Sequence, residues 1–348
     1  MGLQTRTLGA TGMDITRVGF GAWAIGGPGH FGWGPQDDGE AIAAIRRAVD
    51  AGVNWIDTAA VYGFGHSEEL VGQAIAKIPA ADRPYVFTKC GQVWDPDDPD
   101  REVRRTMDPD SVRREVDASL RRLGIDRIDL YQVHWPPEDV PVGGDVPEGL
   151  TVPPLPIQDY WQVMADLREA GKVRAVGLSN HSVSQLESAE AVAHVDAVQP
   201  PFSLIDRSAA DEIAWAEAAG AGVIVYSPMQ SGLLTGAFSR ERVAGLPEDD
   251  WRRRSDDFTT DLDRNLAVAD ALVPVAERHG VFPGAVAVAW TLAWPGVTGA
   301  IVGARRPEQV DGWLPAADLQ LTDEDLDEIA AAVERVGAGT GPLRPVQA

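Results

Sequence analysis

Short apolar runs alternate along this chain with longer stretches whose apolar residues recur every three to four positions, the signatures of buried strands and amphipathic helices. Val18-Gly19-Phe20-Gly21 precedes an amphipathic run over 38–51 that Gly52 closes. Asn54–Asp57 precedes a run over 67–76, and Tyr85–Thr88 precedes 110–123, closed by Gly124. Asp129–His134 precedes 157–170, with Gly171 as the stop, and Arg174–Leu178 precedes 183–191. Ala197–Gln199 precedes 208–219, ended by Gly220, while Val223–Tyr226 and Ala300–Val302 supply a seventh and an eighth strand. Strands and helices that alternate in this way predict parallel strands with crossover helices, closed as a (β/α)8 TIM barrel.

Departures from the repeat predict additions to the barrel. Residues 3–18, around Gly9-Ala10-Thr11-Gly12, read as an N-terminal β-hairpin. Helical stretches at 263–279 and 284–294 precede strand eight, one more than the minimal barrel needs, and another at 322–336 follows it. Thr322 is the expected N-cap of that last helix. Irregular stretches at 91–109, 136–156 and 228–262 fall after strand ends, where a barrel keeps its substrate-selecting loops. No linker divides the chain, so residues 1–348 are read as a single barrel domain.

Composition narrows the function. With 44% hydrophobic and 24% charged residues the chain has the profile of a well-cored soluble globule. A net charge of -23 repels phosphate backbones, which argues against a nucleic-acid partner. One cysteine, Cys90, excludes an intrachain disulfide and fits a reducing cytoplasm. No basic-then-apolar leader is visible, and Arg6 stands where a myristoylation signal needs Ser or Thr. No apolar run approaches the ~20 residues of a membrane span. The expectation is a cytoplasmic protein acting on a small molecule, with its oligomeric state unread.

Four titratable residues lie at or just past the ends of successive strands: Asp57, Tyr62 in the loop that follows, Lys89 and His134. Polar groups at the carboxyl ends of parallel strands are what a barrel enzyme uses for chemistry. An ammonium beside a phenol is expected to lower the phenol's pKa and make Tyr62 a general acid. Asp57 would hold Lys89 charged, and His134 would donate a hydrogen bond to an oxygen gaining negative charge. Hydride delivery to a carbonyl carbon with proton delivery to its oxygen suits such a set. Singly, each residue also has a plain structural reading, the aspartate as a helix cap and the histidine as a satisfied core group.

The stretch Asp57-Thr58-Ala59-Ala60-Val61-Tyr62-Gly63-Phe64-Gly65-His66-Ser67-Glu68 resembles a signature of the aldo-keto reductase family. Val86–Lys89, Leu130–Trp135 and Gly177–Asn180 match the family's next landmarks in order, and the resemblance runs almost end to end. It implies a catalytic tetrad of Asp57, Tyr62, Lys89 and His134, and a nicotinamide cofactor, NADP(H), as hydride source. It places Gly21, Ala22 and Trp23 near the nicotinamide and substrate, and assigns Ser179, Asn180 and Gln199 to the carboxamide. Tyr226 would stack on the nicotinamide ring, and Ser227, Pro228, Met229, Gly232 and Leu233 belong to the segment folding over the pyrophosphate. Trp23, Tyr62, Trp94, His134 and Trp135 fall where relatives line the substrate pocket. No metal is expected.

Gly19-Phe20-Gly21-Ala22-Trp23-Ala24 satisfies a dinucleotide-binding pattern, but the Gly- and Pro-rich stretch behind it predicts no helix and hence no Rossmann unit. Gly303-Ala304-Arg305-Arg306-Pro307-Glu308-Gln309 is the expected phosphate site, with Pro307 opening a helix beside two arginines. By resemblance Gly303, Arg305 and Gln309 contact the cofactor, Arg305 being assigned the 2′-phosphate of NADPH. Ala237 and Gly312-Trp313 replace residues that relatives use for phosphate and adenine. Trp251-Arg252-Arg253-Arg254 reads either as a substitute charge or as a solvated run. Two other classes stand beside the NADP-dependent reductase: a cofactor-binding regulatory sensor with little turnover, and a metal-dependent barrel hydrolase.

Overall fold

The computed structural model describes residues 2–28, 32–95, 97, 102–137, 155–248 and 250–344. Strands β1 (Thr5–Thr7) and β2 (Asp14–Thr16) form the N-terminal hairpin. Then come β3 (Val18–Gly21), α1 (Asp38–Asp50), β4 (Trp55–Asp57), α2 (His66–Ile75) and β5 (Tyr85–Cys90). A small antiparallel pair, β6 (Gln92–Val93) and β7 (Arg104–Arg105), precedes α3 (Pro109–Leu123). The alternation resumes with β8 (Ile128–Val133), α4 (Ile157–Glu169), β9 (Val173–Ser179), α5 (Val183–Glu190), β10 (Ala197–Gln199), α6 (Ala210–Ala219) and β11 (Gly222–Val225). Helices α7 (Arg240–Ala244), α8 (Leu262–His279) and α9 (Pro283–Leu292) lead to β12 (Gly299–Gly303), followed by α10 (Pro307–Trp313) and α11 (Asp323–Val336).

Strands β3, β4, β5, β8, β9, β10, β11 and β12 pair in that order, all parallel, and β12 closes on β3 with Gly303 opposite Gly21. The chain is therefore a closed eight-stranded (β/α)8 barrel. The capping residues explain the helix ends. Asp37 accepts from Glu40 N at the start of α1, Asp108 from Ser111 N at the start of α3, and Thr322 from Asp325 N at the start of α11. Gly124 adopts φ 64° after α3 and donates to Leu120 O, so a residue without a Cβ ends that helix. The β6–β7 pair and α7 were not foreseen, because elements of two to five residues leave no periodicity to read.

Side chains alternate faces along each strand, and the barrel uses that period to stack two layers. In the lower layer Trp55, Phe87, Leu130, Ala175, Ala197, Ile224 and Ile301 pack together, with Leu8, Met13 and Ile15 from the hairpin region beneath. Gly19 is required here, since a Cβ on it would stand 2.2 Å from the Trp55 indole. Two residues further along come Gly21, Asp57, Lys89, Gln132, Gly177, Gln199, Tyr226 and Gly303. The apolar layer excludes water below, so the polar layer above it lies at the carboxyl end of the strands. A second apolar shell, between strands and helices, makes up the larger core.

Candidate active site

The polar layer is cross-linked. Lys89, with 1% of its surface exposed, donates from Nζ to Asp57 Oδ1 at 2.5 Å and to Thr58 O at 2.9 Å. The other Asp57 oxygen accepts from Gln199 Nε2 at 2.9 Å and Gln132 Nε2 at 3.3 Å, and Gln199 Nε2 also reaches Gln132 Oε1 at 3.1 Å. A buried charge pair needs such additional hydrogen bonds to be tolerated. Above it stands Tyr62, its ring centroid 5.3 Å from Lys89 Nζ and 5.6 Å from the His134 ring, which meets it edge-on. The four residues singled out from the sequence thus converge. Gln132 was missed; as the inward polar residue after Leu130 on an otherwise buried strand, it carried a readable signal.

Burial governs the protonation states. The Tyr62 phenol is pushed well above its usual value by desolvation and then by the charge of Asp57. This corrects the expectation that Lys89 would lower it. The ammonium is already matched by Asp57, so the phenol experiences the pair rather than a lone cation. Lys89 itself is drawn down by burial, while the charge and hydrogen bond of Asp57 and the charge of Glu68 oppose the drop. His134 is held well below the ordinary imidazole value by burial, then by Lys89 and Arg105. Tyr62 is thereby protonated and His134 neutral, the states that a proton donor and a hydrogen-bond donor require.

A cleft of about 1010 Å³ opens above this layer. Its walls include Gly21, Trp23, Asp57, Tyr62, His134, Trp135, Ser179, Asn180, Gln199, Tyr226, Ser227, Pro228, Met229, Gly232, Gly303, Arg305 and Gln309, all expected at the site. Four expected residues are not on its wall. Lys89 lies buried behind Asp57, Ala22 is fully buried with its carbonyl accepting from Ser67 Oγ, and Leu233 packs against Val243 and Phe258. Trp94, assigned to the substrate pocket, instead packs edge-on against Phe64 with centroids 5.4 Å apart. Both rings pack on a cluster of Ala59, Val61 and Val103 that Tyr62 also touches.

The carboxamide candidates bond to one another. Ser179 Oγ donates to Gln199 O, Asn180 Nδ2 to His134 O and Ser179 Oγ, and Tyr226 OH to Asn180 Oδ1. Among the described residues no donor reaches Gln199 Oε1, leaving one acceptor available. Asn180, Ser227, Gln230 and Ser231 all have positive φ, and Gln230 is fixed between Ser203 Oγ and Asp257 Oδ2. Backbone strain of this kind persists where surrounding bonds enforce it. At the far end Arg305 Nε donates to Gln36 Oε1 at 2.7 Å and its Nη2 to Pro35 O, while Gln309 Oε1 accepts from Arg305 N and Arg306 N. The two amides just before α10, at the end expected to face a phosphate, are therefore held by the Gln309 side chain.

Sequence reasoning also missed Trp33, Gln36, Asp37, Gln92 and Arg105, which line the cleft from loops and the β6–β7 pair. The Trp23 ring touches Trp33 edge-on at 5.1 Å and stacks on Trp251 at 5.9 Å. Arg252 lines the cleft, lies over Trp33 and is paired to Asp250, whereas Arg253 and Arg254 are exposed, so the stretch divides between the two readings. His181, the other strand-end histidine, is bonded to Ser179 O and Tyr160 OH and is structural. His30 and residues 138–154 of the expected 136–156 loop lie outside the described residues.

The sequence profile of the Aldo/keto reductase family matches residues 17–334. The chain belongs to that family. It is 34% identical over 335 residues to the aldo-keto reductase YhdN of Bacillus subtilis strain 168, covering 95% of this chain and 94% of that one. It is 35% identical over 343 residues to the NADH-specific methylglyoxal reductase of Escherichia coli strain K12, covering 94% and 98%. The solved structure of the glycerol dehydrogenase AKR11B4 from Gluconobacter oxydans superposes with a TM-score of 0.84 at 34% identity, covering all of both chains. This aldo-keto reductase is accordingly an oxidoreductase of carbonyl compounds. Among its described residues no helix is long and apolar enough to cross a membrane.

Proposed function

We propose that this aldo-keto reductase interconverts small carbonyl compounds and their alcohols with a nicotinamide dinucleotide, Tyr62 acting as general acid in the direction of reduction. The Asp57–Lys89 pair set against the Tyr62 ring, with neutral His134 beside it on the floor of the cleft, carries the reading. The cleft volume lies at the upper end for small-molecule sites, as a dinucleotide and a substrate together require. Ser179, Asn180 and Gln199 would hold the carboxamide, Tyr226 the ring, and Gly303, Arg305 and Gln309 the adenosine end. When bound, the dinucleotide supplies the hydride that adds to the carbonyl carbon.

The chain's own residues do the rest. Tyr62 gives its proton to the carbonyl oxygen, and Lys89 stabilises the phenolate left behind. His134 donates a hydrogen bond that orients the carbonyl. Trp23 and Trp135 wall off water and give a flat apolar surface to the substrate carbons. Relatives named for methylglyoxal and glycerol point to small, oxygen-rich substrates. A sensor with little turnover is the weaker reading, because those relatives are named for reductase and dehydrogenase activity. Purified protein should oxidise NADPH or NADH in the presence of short α-oxygenated aldehydes or ketones; no oxidation with any of a sugar, aliphatic and aromatic carbonyl panel would overturn the proposal.

For the cofactor we infer a preference for NADPH, since Arg305, Arg306 and Arg252 gather at the adenosine end of the cleft. Asp37, Glu40 and Glu308 line the same end and favour NADH, as does the NADH-specific relative. Dissociation constants for both cofactors decide between them. Arg305→Ala should weaken NADPH by roughly 10- to 100-fold, the worth of one charge-assisted hydrogen bond, and leave NADH within about twofold. Equal wild-type affinities would overturn the NADPH preference, and tighter NADH binding would transfer the reading to NADH.

A further inference from the structure

The motif that carries Tyr62 ends in Ser67-Glu68, and the chemistry above uses neither. Both side chains are fully buried. Ser67 Oγ donates to Ala22 O at 2.8 Å and lies 2.9 Å from Thr58 Oγ1, so it ties the start of α2 to the ends of β3 and β4. Ser67 N donates to Tyr62 O. Glu68 Oε1 accepts from Thr88 Oγ1 at 2.7 Å, and Thr88 is the neighbour of Lys89 on β5. Glu68 Oε2 accepts from Arg122 Nε of α3 at 2.6 Å, and Arg122 packs so closely that a Cβ on Gly65 would stand 2.7 Å from its Cδ. A buried carboxylate is costly unless its bonds are all made, and here each oxygen has one directed donor.

We propose that Glu68 is a positioning residue: through Thr88 and Arg122 it locks the loop bearing Tyr62 to the strand bearing Lys89, and it places a second negative charge behind that strand. The proposal rests on Tyr62 being the proton donor and Lys89 its charged partner. Strand alternation explains the arrangement. Lys89 points into the barrel and Thr88 outward, so the outward hydroxyl is the handle by which α2 and α3 fix the position of the inward ammonium. The groups facing Lys89 are Asp57 of β4, Tyr62 of the following loop and His134 at the end of β8, with Glu68 of α2 acting from behind. Arg122 of α3 stands beyond Glu68 and is partly solvated, which weakens its opposing charge.

Thr88→Val, close to isosteric, removes the hydroxyl and keeps the charge; Thr88→Ser restores the hydroxyl; Glu68→Gln removes the charge. Thr88→Val should lower kcat roughly tenfold by misplacing the reacting groups, with cofactor dissociation constants unchanged in fluorescence titration, and Thr88→Ser should recover kcat to within about twofold. Glu68→Gln should move the basic limb of the reduction pH profile to lower pH, because losing a nearby negative charge lets Lys89 shed its proton earlier. A wild-type kcat in Thr88→Val overturns the positional role, and an unmoved basic limb in Glu68→Gln overturns the electrostatic one. Tyr62→Phe, assayed alongside, separates the layers: if it keeps full turnover the underlying reading fails and takes this one with it, whereas an inactive Tyr62→Phe beside an unaffected Thr88→Val overturns the role of Glu68 alone.

Discussion

At Tyr62 two demands compete. Desolvation holds the phenol protonated, and proton transfer to a carbonyl oxygen then needs a cation to receive the developing phenolate. Lys89 is the cation in place, its charge supported by Asp57, which Gln132 and Gln199 hold, and from behind by Glu68. Tyr62→Phe removes the transferable proton and nothing that holds the dinucleotide. It should leave cofactor dissociation constants nearly unchanged and lower carbonyl reduction by at least 10²-fold, the usual scale of general-acid catalysis. Turnover above a tenth of wild type, measured on the same preparation, would remove Tyr62 as the donor.

Strand alternation is the device that turns elements into a site. Each strand places an apolar residue in the lower layer and a polar or small one two positions later, so a filled floor and a reactive layer come from one repeat. Gly19 faces the widest floor residue. Gly19→Ala should lose about 1–3 kcal/mol through overpacking against Trp55, visible as a lower unfolding midpoint, and Trp55→Phe in that background should return part of it. His181 links the end of β9 to Tyr160 on α4, and burial lowers its pKa to about 4. A histidine neutral in the fold and free to protonate when unfolded contributes stability above its unfolded pKa of about 6.5, lost as pH falls towards 4. The contribution is on the order of 3 kcal/mol; His181→Asn should flatten the fall of melting temperature over that window, and an unchanged slope would assign the acid sensitivity elsewhere.

For the whole molecule, a charge of -23 on one compact barrel sets self-repulsion against folding. Raising salt from 0.01 M to 0.15 M shortens the screening length from about 30 Å to about 8 Å. The melting temperature at neutral pH should therefore rise by about 1–2 °C, the shift that 1 kcal/mol produces in a chain of 348 residues. A fall on adding salt would mean that surface ion pairs such as Arg240–Asp263 outweigh the repulsion. Under the proposed function the same field makes the arginines at that end of the cleft matter more, since they would offset a global potential that opposes a polyphosphate.

Strand and helix positions were legible in the chain because burial imposes periods of two and about 3.6 residues on any sequence that forms these elements. The four residues proposed for catalysis were legible because polar residues ending apolar strands have few reasons to be there, and the family signature supplied their order. Tertiary structure alone decided what surrounds them. Gln132 and Gln199 clamp Asp57 from strands far apart in sequence, and Trp251 reaches Trp23 from a loop without periodicity. It also decided two details that the chain alone did not. Trp94 packs on Phe64 because that ring offers it an apolar partner, and the phenol rises in pKa because desolvation and then the charge of Asp57 both disfavour the phenolate. Motif and period fix which groups are present; distances and the loss of water, which only the closed barrel sets, fix the protonation state each one holds.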